Sequence, residues 1–167
     1  MSVEQVILGL GANLGDRVGT LKSAREALAR EHVFLAESSL YETEPIGLRE
    51  QPAFLNQVVA IQTAQPPEAL LAACLGVEKA HGRERGVRNG PRTLDIDILF
   101  YGERTLCTDA LEVPHPRWRE RAFVVVPLRE LLACPAMQQI AQWDALRAEL
   151  DRISGTGEVV LFADRKA

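Results

Sequence analysis

Between Gly82 and Tyr101 the chain reads GRERGVRNGPRTLDIDILFY, and two kinds of charge meet in it. Arginines stand at 83, 85, 88 and 92, interrupted by Gly86 and Gly90 and closed by Pro91, and Asp95 and Asp97 follow directly. The alternation of Leu94, Ile96, Ile98 and Phe100 with Asp95, Asp97, Leu99 and Tyr101 predicts a strand with one apolar face. Side chains two apart on a strand share a face, which sets Asp95 and Asp97 about 6.5–7 Å apart at Cα. Two carboxylates that close repel unless a cation lies between them. A hard divalent ion such as Mg²⁺ takes one or two carboxylates and completes its octahedron with water and phosphate oxygens. The guanidinium forks upstream match phosphate oxygens bidentately. Taken singly, each of these residues would be a solvated charge or half of a surface ion pair. Together, on a strand behind a Gly/Pro-rich loop, they specify a Mg–nucleotide site.

A second basic cluster lies in VPHPRWRERAFVVVPL, where His115, Arg117, Arg119 and Arg121 precede Phe123. On composition alone His115, between two prolines, is a turn residue. Two further stretches stand out. In ETEPIGLREQPAFLN, Pro45, Gly47 and Pro52 break regular structure, and a connection of that length is expected to be a functional lid. In GLGANLGD, Gly9, Gly11 and Gly15 are spaced one residue too far for a dinucleotide fingerprint, so GANLGD reads as a tight strand-to-helix turn.

RNGPRTLDIDIL is similar to the signature of the 6-hydroxymethyl-7,8-dihydropterin pyrophosphokinases. So are G-A-N-L-G at 11–15, T-E-P-I-G at 43–47, F-L-N at 54–56, V-P-H-P-R at 113–117 and E-R-A-F at 120–123. The likeness covers about residues 6–130 and weakens after Cys134. It implies a folate-pathway transfer of diphosphate from ATP to the pterin hydroxymethyl group, releasing AMP, on a ferredoxin-like α-β-α fold. By that likeness Asp95 and Asp97 hold two Mg²⁺, and Arg83 and Arg92 join them as catalytic residues. ATP falls to Glu78, Arg83, Arg85, Arg88, Arg92, Ile98, His115 and Arg121. The pterin falls to Thr43, Pro45 and Ile46 through their backbones, to Asn56 through its amide, and to Phe54 and Phe123 as stacking walls. Arg117 and Arg119 are left to solvent. The roles suit the ligand, since a flat pterin needs aromatic faces and its amide-like edge needs a donor and an acceptor together. Without the likeness, Phe54 would be a core aromatic and Asn56 a strand-start cap. Asn89 stands where many family members carry Trp, and Leu75 where some carry a polar residue.

Positioning these groups requires strands at 6–10, 33–41, 54–63 and 94–101, helices at 17–30 and 66–80, and a short edge strand at 104–107. Helices at 127–133 and 137–153 and a strand at 159–162 follow. Strand-to-strand links at 33–63 and 94–107 argue for an α+β sandwich with a mainly antiparallel sheet. The 167 residues suit one domain, and 47% hydrophobic content supports a core. A net charge of −4 excludes a nucleic-acid binder working by bulk electrostatics. Cys74, Cys107 and Cys134 have no metal-ligand spacing and suit core-filling thiols in a reducing cytosol. With no apolar run of membrane-spanning length, a cytoplasmic monomer is expected. The alternative, a non-catalytic nucleotide-binding module, would keep the arginines and a magnesium ion but have no use for Phe54 and Asn56. An RNA-binding α+β domain would need exposed sheet aromatics and a basic surface.

Overall fold

The computed structural model describes residues 3–43, 53–82, 94–153 and 159–163. Its sheet is built from β1 (Glu4–Ala12), β2 (Val33–Glu37), β3 (Leu40–Thr43), β4 (Phe54–Thr63), β5 (Asp95–Tyr101) and β8 (Val160–Ala163). The strands run in the order β5-β1-β4-β3-β8, with β2 also paired to β4, and each pairing is antiparallel. A separate hairpin joins β6 (Leu106–Cys107) to β7 (Glu112–Val113).

Helices cover both faces. On one side α1 (Arg17–Glu31) and α2 (Pro67–Ala80) bury Leu21, Ala24, Leu28, Leu70 and Cys74 against Leu8, Leu10, Leu94, Ile96 and Ile98. On the other, α3 (Ala122–Ala133), α4 (Pro135–Gln138) and α5 (Asp144–Arg152) bury Val124, Leu128, Met137 and Leu150, with Trp143 from the turn before α5, against Ile7, Val58 and Phe100. The result is the α+β sandwich that the element pattern requires. Among the described residues no helix is long and apolar enough to cross a membrane.

Several expectations change. Gly9 and Gly11 lie inside β1, antiparallel to both neighbours; only Gly15, at φ +63°, belongs to the turn that Asp16 closes by capping α1. The single strand expected at 33–41 divides into β2 and β3, with Ser38 buried between them and its hydroxyl accepting from Val58 N–H. The apolar phase of β5 also breaks. Ile7 pairs with Phe100 and Leu8 with Ile98, so Leu99 is an extra residue, a bulge. Beyond it Phe100 joins Leu99 in the α3-side core, and Tyr101 takes the α1/α2 side.

The helix expected to begin at Pro127 begins at Ala122 and carries Pro127 inside it. An interior proline costs on the order of 3 kcal/mol. Burial of Val124, Val125, Leu128, Leu131 and Leu132 offsets that, at roughly 1.5–3 kcal/mol for each large side chain. The helix expected at 137–153 is broken into α4, a 3-10 turn at Ala141–Trp143 and α5. Arg147 donates to the carbonyls of Leu132, Met137 and Ile140 at the break, replacing helical partners. Cys74 and Cys134 are buried, whereas Cys107 is exposed.

Candidate active site

Register decides which side chains meet. Gly11 of β1 lies opposite Asn56 of β4 on one side and Asp95 of β5 on the other, and Asn56 in turn lies opposite Tyr41 of β3. Residues paired across strands project from the same face, so Asp95, Gly11, Asn56 and Tyr41 form one row. Adjacent strands are about 4.8 Å apart, which puts Asp95 and Asn56 on the order of 10 Å apart at Cα. Asp97 pairs with Gly9 in the next row of that face. The face is the one α3 covers, since Val58, opposite Gly9, belongs to the α3-side core.

The glycines between the two sets of polar groups keep the surface low. A Cβ at Gly11 would lie 3.2 Å from Asn56 Oδ1 and 3.7 Å from the Phe54 ring. Asn56 and Thr43 are both buried, and Asn56 Nδ2 donates to Thr43 Oγ1 at 2.8 Å. The Thr43 hydroxyl therefore orients the carboxamide, a role beyond the backbone contact expected of it. Phe54, opposite Thr43, is half-buried beside them.

Asp95 and Asp97 are half-buried and flank Ile96, whose N–H on the edge of β5 away from β1 donates to Glu78 Oε2 at 2.7 Å. Glu78 is 1% exposed and Ile98 4%. Both were expected at ATP; the structure turns their side chains inward, Glu78 onto the edge of β5 and Ile98 into the α1/α2-side core. The Cys74 thiol on the same helix as Glu78 is pushed up to about 12 by burial, reinforced by the carboxylates of Glu78 and Asp97. Negative charge is thus concentrated where the arginine-rich segment enters β5.

His115 is held by its backbone N–H, which donates to Leu99 O at 2.9 Å. Its Nδ1 accepts from Arg117 N–H at 3.1 Å, which assigns the ring proton of the neutral form to Nε2. Burial, then the guanidiniums of Arg121 and Arg117, lower its pKa, against opposing pulls from Glu112 and Asp95. Trp118 anchors this segment: it is fully buried, edge-on to Phe100 at 5.3 Å. The chain then turns at Arg121 into α3, with the Arg121 guanidinium 5.5 Å from the Phe123 ring centroid. Arg119 is exposed, as expected, and there pairs with Glu149 and lies 4.8 Å over the Trp118 ring.

The described part of the predicted site thus comprises Thr43, Phe54, Asn56, Glu78, Asp95, Asp97, Ile98, His115, Arg121 and Phe123. Pro45, Ile46, Arg83, Arg85, Arg88 and Arg92, like Asn89, lie outside the described residues. Leu75 is exposed on α2. Sequence reasoning missed the part played by Gly11 and the Thr43 hydroxyl. A glycine two residues after another at the end of an apolar strand was the available signal.

An α-β-α sandwich carrying paired acids, a carboxamide and a basic turn at one end of its sheet defines a class of phosphoryl-transfer proteins. The sequence model of 7,8-dihydro-6-hydroxymethylpterin-pyrophosphokinase (HPPK) matches residues 7–133, and the chain belongs to that family. It is 42% identical over 148 residues to the 2-amino-4-hydroxy-6-hydroxymethyldihydropteridine pyrophosphokinase of Bacillus subtilis, covering 87% of this chain and 84% of that one. It is also 42% identical over 142 residues to the mitochondrial folate synthesis bifunctional protein of Pisum sativum, covering 84% of this chain but 28% of the plant protein. The chain thus spans about a quarter of that longer relative. Among solved structures, a Plasmodium falciparum HPPK-DHPS shares the fold, with TM-score 0.60 and 16% identity over 78% of this chain and 41% of that one.

Proposed function

We propose that this protein transfers the terminal diphosphate of ATP to the hydroxymethyl oxygen of 6-hydroxymethyl-7,8-dihydropterin, releasing AMP, as a step in folate biosynthesis. The observation that carries the reading is the Asp95–Gly11–Asn56 row. A pterin whose amide edge is held by Asn56 lies across the glycine floor of β1, with its far side toward the acidic pair one strand away. Thr43 fixes the Asn56 amide, and Phe54 and Phe123 supply the ring faces. Pro45 and Ile46 complete the pterin contacts, through their backbones.

The hydroxyl oxygen attacks the β-phosphorus in line while the bond to AMP breaks, so no protein nucleophile is needed and catalysis is positioning plus charge neutralisation. His115 donates from Nε2 to a phosphate oxygen, and Arg121 pairs with the same chain. Arg83, Arg85, Arg88 and Arg92 contribute the remaining positive charge. Asp95 and Asp97 fit Mg²⁺, since they offer oxygen ligands alone and share one face of β5. Two ions are expected, and bound Mg²⁺ neutralises charge on the triphosphate.

The test is incubation with ATP, Mg²⁺ and 6-hydroxymethyl-7,8-dihydropterin, with AMP and the pterin diphosphate resolved by chromatography. Equal amounts of both are expected. ATP binding without AMP release would leave the nucleotide-binding module as the correct reading.

A further inference from the structure

Arg17 has no part in the site as described, yet from the α1/α2 side of the sheet its side chain grips the two strand ends that carry the pterin pocket on the other face. It is the first residue of α1, where a cation opposes the helix dipole, so local helix energetics do not account for it. Its Nη1 donates to Glu42 Oε2 at 2.7 Å and to Ala53 O at 2.9 Å, and the guanidinium lies 5.4 Å from the Phe162 ring centroid on β8. Both partners adjoin the pterin pocket. Glu42 immediately precedes Thr43, Ala53 immediately precedes Phe54, and Thr43 and Phe54 are themselves a cross-strand pair. One nitrogen therefore ties the end of β3 to the start of β4 beside the Thr43–Asn56 hydrogen bond. The ion pair is partly exposed, with side chains 23% and 38% accessible, a setting in which such pairs contribute little to stability.

We infer that Arg17 is a positioning residue for the pterin subsite, holding Thr43, Phe54 and through them the Asn56 amide in the arrangement that binds the heterocycle. The inference rests on the pterin reading of that pocket, and it confines the effect of Arg17 to pterin and spares nucleotide. Arg17→Met keeps the length of the side chain and removes its donors. Arg17→Lys restores one donating nitrogen, which is the number the structure uses.

The experiment measures KM and kcat for both substrates, calorimetric Kd for pterin and for Mg–α,β-methylene-ATP, and thermal midpoints. Wild type, both Arg17 variants and Asn56→Ala are compared. Arg17→Met is expected to raise pterin KM and Kd about tenfold, with kcat and nucleotide Kd within about threefold of wild type. Arg17→Lys should recover most of the loss. Wild-type pterin affinity in Arg17→Met overturns the inference, and so does a parallel loss of pterin, nucleotide and thermal stability, or a lysine variant no better than methionine. Unchanged pterin binding in Asn56→Ala would overturn the pocket reading itself, and is distinguishable because it does not depend on Arg17.

Discussion

At the scale of single residues, the site joins groups whose costs are met in different ways. On the proposed reading, a metal bound by Asp95 and Asp97 would offset their mutual repulsion. Asp95→Ala or Asp97→Ala should therefore cut turnover at least a thousandfold, on the order of 4 kcal/mol of barrier, with little loss of fold. Steady-state AMP release and a denaturant melt check both halves, and near-normal turnover would remove these carboxylates from the metal assignment. Asn56 is buried, so a pterin edge deprived of its amide partner is desolvated without compensation. Asn56→Ala should weaken pterin by roughly 1–3 kcal/mol and leave ATP within a few-fold. Thr43→Val, which only frees the amide to turn, should weaken pterin less. Calorimetry that finds ATP weakened as much as pterin would move the pocket elsewhere.

At the scale of elements, what matters is how a two-aspartate strand is held at the edge of a sheet. β5 has β1 on one side; on its other edge the buried Glu78 from α2 takes the Ile96 N–H between the two aspartates, and Leu99 O accepts from His115 N–H. Glu78→Ala would leave that donor buried without its acceptor, costing roughly 1–3 kcal/mol. Glu78→Gln keeps an acceptor oxygen and loses only the charge. The alanine variant is therefore expected to lose more stability and more turnover than the glutamine variant, as read by urea denaturation and AMP release on the same samples. Equal effects would mean that charge, rather than the hydrogen bond to β5, is what Glu78 contributes. On the opposite face, Trp118 between Phe100 and the His115 turn performs the corresponding task for the basic cluster.

At the scale of the whole molecule, one buried imidazole links folding to pH. His32 ends α1, its Nδ1 meets Thr63 Oγ1 at 3.0 Å, and its Nε2 is buried without a hydrogen-bond partner among the described residues. Burial lowers its pKa below the ordinary imidazole value of 6.5, with Glu31 pulling weakly the other way. The unfolded chain then holds the proton more tightly than the native one. Stability is full above about pH 6.5 and is lost as pH falls toward the lowered folded value. His115, lowered as well, adds in the same direction. Urea denaturation from pH 8 to 5 should show this decline in the wild type and a shallower one in His32→Gln. Identical slopes would assign the pH dependence to other groups.

Residue order alone determined the Asp95/Asp97 pair on one strand, the basic clusters, the family and the alternation of strands and helices. Each of these rests on local spacing: period two for β5, helical period for α1 and α2, and fixed offsets within RNGPRTLDIDIL. Tertiary structure decided what local spacing does not contain. The register of β1 against β4 and β5 places Asp95 and Asn56 in one row, although 38 residues separate them in the chain by their numbers. A bulge at Leu99 reverses the phase of β5, because its pairing with β1 outweighs its own alternation. Pro127 fails to start α3, since the apolar residues before it gain more from burial against β4 and β5 than the proline costs. Arg17 finds Glu42 and Ala53 only once the sheet has formed. Contacts between residues remote in sequence depend on packing energies summed over many side chains, and no short motif carries that sum.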